Sequence, residues 1–247
     1  MLSQETTPAG TTPAGTANEQ QAGAWVRGMF GRIAPRYDLL NHLLSMNIDR
    51  YWRARTVKRV SDFLTKPGAR VLDVACGTGD LTIALAKRGC GALVLGSDFS
   101  HPMLTAARSK TSLELFEADA LALPLADASF DLVSIAFGFR NLANYGRGLV
   151  ELRRILKPGG TLAILEFSTP PNALMAAMYD FYSHQVLPKI GGWISGSPEA
   201  YTYLPESVRK FPDAPGLAEQ MRQAGFESVR YERMTAGIVA LHLGERL

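Results

Sequence analysis

The run Val71-Leu72-Asp73-Val74-Ala75-Cys76-Gly77-Thr78-Gly79-Asp80 constrains most of what this chain can become. A short apolar strand enters a glycine turn, and the turn opens a helix at Leu81-Thr82-Ile83-Ala84-Leu85-Ala86. Gly77 and Gly79 carry no Cβ, so the backbone can bend sharply there and let a ligand come close. In α/β proteins, a turn of this kind at the carboxyl end of a parallel strand is where nucleotide-like ligands bind.

The details of the turn separate the ligand classes. A dinucleotide fingerprint needs Gly-x-Gly-x-x-Gly, the third glycine allowing close helix–strand packing. Here Thr82 stands in that place, which speaks against a nicotinamide dehydrogenase. Asp73 and Asp80 flank the turn instead. Carboxylates beside a helix N-terminus repel a pyrophosphate but suit a ligand bearing ammonium and sulfonium charge, a description that S-adenosylmethionine meets. Two more strands end in acids. The strand over 92–98 ends in Asp98, at the sequence distance where an acid bonds ribose hydroxyls. The strand over 113–117 leads into Ala118-Asp119-Ala120, which puts Asp119 and Ala120 in place for an adenine ring.

Composition bounds the rest. With 247 residues, 47% of them hydrophobic, the chain can fill the core of one α/β domain. A formal charge of +3 is too small to indicate a nucleic-acid partner. Cys76 and Cys90 have no metal-ligand spacing, so no metal is expected and both thiols read as reduced. The N-terminus lacks a basic region followed by an apolar core, and no apolar run reaches the ~18 residues of a membrane span. A cytoplasmic location is the expectation.

Residues 1–22 hold Thr-Thr-Pro-Ala-Gly twice, at 6–10 and 11–15, low-complexity sequence expected to be disordered. The folded domain is expected over 23–247. Trp25, Val26, Met29, Phe30 and Ile33 lie at helical spacing until Pro35 interrupts. Helical stretches follow at 37–44 and 51–64, the last with Arg50, Arg53, Arg55, Lys58 and Arg59. These read as a solvated basic face or as one drawn to an anionic membrane surface. After Pro67-Gly68, strands and helices alternate, predicting a parallel sheet with right-handed crossovers. A fourth strand over 131–136 precedes Phe137-Gly138-Phe139-Arg140-Asn141 and a helix through Leu149 and Leu152. Lys157-Pro158-Gly159-Gly160 reads as a turn, 161–167 as strand five, 217–224 as a helix, and 227–234 and 238–243 as closing strands. The insert over 168–211 holds Tyr179, Phe181, Tyr182, Trp193, Tyr201, Tyr203 and Phe211, suited to packing on the sheet or to walling a flat ring. Pro188, Gly191 and Gly192 predict an irregular lid there rather than another crossover helix.

The glycine-turn segment resembles the first motif of class I S-adenosylmethionine-dependent methyltransferases. More particular stretches are similar to the ubiquinone/menaquinone biosynthesis C-methyltransferases: Met29 to Asp38, Phe137-Gly138-Phe139-Arg140-Asn141, Leu156 to Gly160, Glu166-Phe167-Ser168, Tyr201 to Ser207 and Thr235 to His242. The likeness runs from about residue 25 to the C-terminus. It implies a Rossmann-like α/β fold, with a mainly parallel seven-stranded sheet and helices on both faces. It implies S-adenosylmethionine as methyl donor and methylation of a ring carbon on a polyprenylated hydroquinone, either demethylmenaquinol or the benzoquinol that leads to ubiquinone. Cofactor contacts carry over to Thr78, Asp98, Asp119 and Ala120. Ala136 replaces a serine that some members use, and Asp119 an asparagine found in many.

Ring-carbon methylation needs a phenolate, whose charge reaches the ortho carbon, and a means of moving protons. Arg140 and Asn141 are expected to face the ring oxygens, with the always-protonated Arg140 stabilising the phenolate. Asp80 and Tyr37 are expected as proton-relay groups, and His184 and His242 rank below them. The expected partners are the quinol and a peripheral membrane surface, with no nucleic acid and the oligomeric state open. An RNA or protein methyltransferase would be expected to show a basic groove or an Asn-Pro-Pro-Tyr-like stretch, and neither is present. A non-catalytic nucleotide-binding role stays open on sequence.

Overall fold

A computed structural model describes residues 10–181 and 198–247. Seven strands make one sheet: β1 (Arg70–Val74), β2 (Leu93–Asp98), β3 (Glu114–Glu117), β4 (Phe130–Ala136), β5 (Leu156–Phe167), β6 (Glu227–Met234) and β7 (Val239–Glu245). Their order is β3-β2-β1-β4-β5-β7-β6. The pairs among β1 to β5 are parallel, while β7 runs antiparallel to both β5 and β6. The chain thus reverses its direction of winding beside β1, and ligands bind α/β sheets at such a switch point.

Alternation along the central strands sorts side chains to two faces. Leu72, Val74, Val133 and Ile135 pack with Leu149 and Leu152 of α7 (Tyr145–Ile155) and with Leu217 and Met221 of α10 (Ala214–Gln223). On the other face Val71, Leu132, Ala163 and Leu165 meet Trp52 and Val57 of α3 (Ile48–Arg59), Leu64 of α4 (Ser61–Thr65), and Leu81 and Leu85 of α5 (Asp80–Arg88). Asp73 faces α5 as well, and in the β1–β4 register it lies opposite Ser134. A third cluster joins α1 (Glu19–Ile33) through Val26, Met29 and Ile33 to Met103 of α6 (His101–Arg108). Among the described residues no helix is long and apolar enough to cross a membrane.

Several expectations change. Helix α1 starts at Glu19, capped by the Asn18 side chain, so the folded part begins before residue 23. The second Thr-Thr-Pro-Ala-Gly copy is not loose, since Thr11 is buried. Most of the first copy lies outside the described residues. Pro35 does interrupt the helical lead, as a 3-10 turn over Ala34–Arg36 before α2 (Tyr37–Leu44). The expected turn at 157–160 is part of β5, where the pairing register slips between Phe130 and Leu132. Gly159 there takes φ +77°, and its N–H donates to Arg246 O. The described parts of the insert are helical, as α8 (Ala173–Phe181) and α9 (Pro198–Lys210), with Pro205 inside α9. Tyr182, His184, Pro188, Gly191, Gly192 and Trp193 lie outside the described residues.

Candidate active site

A cavity of about 730 Å³ opens at the carboxyl ends of β1, β2, β3 and β4. Its lining includes Gly77, Asp98, Asp119 and Ala120 together with Tyr37, Ala136, Phe137 and Asn141, Tyr37 lying beside Gly77. A smaller cavity of about 30 Å³ continues toward α5 and is lined by Asp73, Thr78, Asp80 and Arg53. Tyr37, Ala75, Gly77, Ala136 and Phe137 border both, so the two cavities share a wall. Of the expected residues, only Gly79 and Arg140 line neither. Gly79 shapes the turn, with φ +85° immediately before α5.

Each acid has a distinct role. Asp98 accepts from the Gly77 N–H and the Ser100 N–H, both at 2.8 Å, and so ties the end of β2 to the glycine turn. Burial pushes its pKa up to about 6, against the opposing effect of those backbone bonds. Asp73 is buried too and accepts from Thr82 Oγ1 at 2.6 Å and Ser134 Oγ at 2.8 Å. Its pKa is likewise pushed up to about 6 by burial. Asp119 is exposed, and one of its oxygens accepts from the Leu121 N–H at 2.9 Å. Two carboxyls that ionise against a desolvation cost favour a cation bound between them and solvent. The basic side chains at the large cavity, Arg27 and Arg147, are exposed, and Arg147 pairs with Glu19 at 2.9 Å. That chemistry fits the hydroxyls and positive centre of S-adenosylmethionine better than a phosphate.

Asp80 departs from its expected part as a relay group. Lys110 Nζ lies 2.9 Å from it and Arg53 Nη2 3.6 Å, so two cations already engage it. Lys110 also reaches Asp38 at 2.7 Å, and Asp38 accepts from the Thr78 hydroxyl. His42, Asp49 and Asp80 could converge on a metal, but the Arg53 guanidinium pairs with both acids and supplies the positive charge. Arg55 and Arg59 of the predicted basic face are also paired, both with Glu232. Burial raises the pKa of the Tyr37 hydroxyl, and a hydrogen bond with Asn41 opposes the shift only in part. Tyr37 is therefore a neutral phenol at pH 7, able to donate or relay but not an ionised base. His242 does not titrate near neutrality, because burial pushes its pKa down to about 4 against the opposing effect of its 2.9 Å bond to Ala214 O.

Arg140 corrects the sequence reading most. It is 5% exposed and does not face the cavity. Its Nη1 donates to Glu166 Oε1 at 2.8 Å and to Phe137 O at 2.6 Å. Its backbone N–H donates to Glu166 Oε2 at 3.2 Å. Glu166 thus meets its charge, while its buried Nε has no hydrogen-bond partner among the described residues. Asn141 does reach the cavity, with Nδ2 bonded to Phe137 O at 3.3 Å and Oδ1 accepting from Tyr203 OH at 3.0 Å. Phe137 takes φ +56° and Ala75 φ +50°, two non-glycine residues in the left-handed region on the cavity wall. Sequence reasoning gave neither a role, nor did it give one to Ser134. The signal for Ser134 was present, as the one hydroxyl of a buried strand, opposite Asp73 in the neighbouring strand.

Sheet order, glycine turn and acid-ended strands together define the class I S-adenosylmethionine-dependent methyltransferase architecture. A Thermotoga maritima S-adenosylmethionine-dependent methyltransferase structure shares it at TM-score 0.65 and 20% identity, covering 90% of this chain and 100% of that one. The ubiE/COQ5 methyltransferase family model matches residues 15–246, and the chain belongs to that family. It is 52% identical over 223 residues to the demethylmenaquinone methyltransferase of Thermus thermophilus, covering 88% of this chain and all of that protein. The ubiquinone/menaquinone biosynthesis C-methyltransferase of Shewanella pealeana is 40% identical over 237 residues, with 93% of each covered.

Proposed function

We propose that the protein transfers a methyl group from S-adenosylmethionine to a ring carbon of a polyprenylated hydroquinone, converting demethylmenaquinol to menaquinol. The carrying observation is the cavity of about 730 Å³, whose lining combines the cofactor-type acids Asp98 and Asp119 with Asn141, Phe137 and Tyr37. The similarity to the Thermus protein supports the naphthoquinol. The name of the Shewanella relative supports a second reading, in which the benzoquinol precursor of ubiquinone is accepted as well.

When bound, S-adenosylmethionine supplies an already activated methyl on a sulfonium. The protein must then hold the ring carbon in line with that methyl and exclude water. Asp98 is assigned to the ribose hydroxyls, and Asp119 with Ala120 to the adenine. Asp73, with its partners Thr82 and Ser134, shapes the floor beneath the glycine turn and adds negative potential beside the sulfonium position. Asn141 is assigned to a ring oxygen, because its free N–H can stabilise the phenolate that pushes charge onto the carbon. Tyr37, bordering both cavities, is assigned to hold or pass the hydroxyl proton. Phe137 and Ala136 give the ring an apolar wall.

A polyprenyl chain resides in a bilayer, so we also assign a peripheral membrane contact to the face where Leu39, Met46 and Tyr51 are exposed beside Arg50. Vesicle flotation with Met46→Asp and Tyr51→Asp tests it, and unchanged flotation refutes it. For the reaction, labelled cofactor is offered with reduced demethylmenaquinone and, in parallel, with the demethylated benzoquinol. Product from the naphthoquinol alone supports the first reading and product from both the second. Cofactor binding without either product overturns the substrate assignment.

A further inference from the structure

The segment Gly10–Thr12 belongs to the repeat that composition marks as loose, yet it is built into the protein beside the cavity. The Thr11 N–H donates to Leu142 O at 2.8 Å, and Thr11 is 5% exposed. A Cβ on Gly10 would fall 1.9 Å from Ala143 O, so the chain passes there only because residue 10 is glycine. Lys210 Nζ holds Thr12 O at 3.2 Å. The segment therefore lies along residues 142–144, directly after Asn141. The family match begins at residue 15, so this contact lies outside it while Asn141 and Tyr203 lie inside.

Proton accounting gives the contact a direction. Tyr203 OH donates to Asn141 Oδ1 at 3.0 Å, and a phenol has one proton to give. The buried 2.7 Å contact between Thr11 Oγ1 and Tyr203 OH must then have the threonine as donor. Asn141 uses one Nδ2 proton on Phe137 O, which leaves the other N–H for the cavity. A hydroxyl chain of this kind polarises along its length, each donor strengthening the next.

We propose that Thr11 is a positioning residue for the methyl-transfer site: through Tyr203 it fixes the Asn141 amide with an N–H turned to the substrate oxygen. The proposal rests on the reading of Asn141 as that contact. The full-length protein is compared with Thr11→Val, which keeps the shape without the hydroxyl, with Thr11→Ser, with Tyr203→Phe and with Thr11→Val/Tyr203→Phe. Loss of one buried hydrogen bond corresponds to about a five- to tenfold fall in kcat on reduced demethylmenaquinone. The expected result is that fall in Thr11→Val with unchanged S-adenosylmethionine affinity and a melting temperature lowered by only about 2–4 °C, recovery in Thr11→Ser, and no further loss when Thr11→Val is added to Tyr203→Phe. Multiplying effects in the double variant overturn the proposal. So do equal losses in Thr11→Val and Thr11→Ser, or a fall in kcat that follows cofactor affinity and stability. The Asn141 side-chain amide resonance in ¹⁵N-labelled protein gives a readout independent of turnover. It should move in Thr11→Val and stay in Thr11→Ser, and a resonance that stays in both refutes the proposal even if no quinol proves to be a substrate.

Discussion

Glu166→Gln tests the placement of Arg140 most directly. Glu166 is 1% exposed and Arg140 5%, so their pair at 2.8 Å has almost no solvent to screen it. Three donors converge on the carboxylate: Arg140 Nη1, the Arg140 N–H at 3.2 Å and the Phe167 N–H at 2.9 Å. Glutamine keeps the shape but removes the charge, and it places an NH₂ where a backbone donor needs an acceptor. Removing one partner of a buried ion pair costs about 3–5 kcal/mol, because the other charge stays buried and unmet. Against a total stability of about 5–15 kcal/mol for a typical protein, that is a large loss. Urea unfolding should show a lower midpoint at an unchanged denaturant slope, the mark of lost stability rather than an altered unfolded state. Arg140→Met combined with Glu166→Gln should recover part of the loss, since no charge is then stranded and the glutamine carbonyl still accepts a backbone N–H. A Glu166→Gln loss below about 1 kcal/mol, or a double variant no better than the single one, would refute the buried-pair account.

The raised carboxyl pKa values make a pH prediction. Asp73 and Asp98 have folded values of about 6 against 3.8 for an ordinary aspartate, so between those values the folded state holds more protons than the unfolded one. Their contribution therefore falls as pH rises from about 4 through 6, by on the order of 3 kcal/mol each. Melting temperature without cofactor should drop over that window, and less so in Asp98→Asn. Calorimetry should also show Asp98→Asn binding S-adenosylmethionine about 10- to 100-fold more weakly, the range expected for lost charge-assisted hydrogen bonds. Cys76 is desolvated and lies near Asp98 and Asp73, which push its thiol pKa well above the ordinary value. At pH 8 a thiol reagent should label the exposed Cys90 and spare Cys76, by mass spectrometry. In Gly138→Ala the new Cβ would lie 2.6 Å from Ala75 Cβ, so the glycine turn must shift. Overpacking of this kind costs about 1–3 kcal/mol, and the variant should lose cofactor affinity as well as stability.

The sheet and its acids were legible because buried parallel strands read as apolar runs, and each run here stops at a glycine or an acid. Asp98 needed only its distance from the turn to be placed. The Arg140–Glu166 pair was less visible, since the two residues are separated by an intervening helix. Their neighbouring positions at the ends of β4 and β5 become clear only once those strands are paired. The Gly10–Thr12 contact left no periodic or compositional trace. Gly10 is fixed by the fit of backbone to backbone, and a Thr-Thr-Pro-Ala-Gly repeat would look the same if it were loose. In the insert, Pro205 is accommodated within a helix, where a proline in the sequence reads as a break.

Ala75 and Phe137, the left-handed residues of the cavity wall, directly follow the adjacent strands β1 and β4. Such conformations cost about 1–3 kcal/mol each and persist only where the surroundings over-determine them. Phe137 meets that condition. Its N–H donates to Leu165 O at 2.8 Å, its carbonyl accepts from Arg140 and Asn141, and its ring packs on Trp52 and Phe167. Arg140 thus spends its charge on Glu166 and a hydrogen bond on holding the cavity wall, while Asn141 is the member of the same stretch that faces the cavity. The two should part under mutation. Asn141→Ala should lower kcat by about 100- to 1000-fold, the range for one removed oxyanion-type donor, with the fold and cofactor affinity kept. Arg140→Ala should lower the unfolding midpoint first, and its activity loss should follow the fraction of protein still folded. Full stability with lost turnover in Arg140→Ala would return that residue to the substrate and reverse the order argued for these two neighbours.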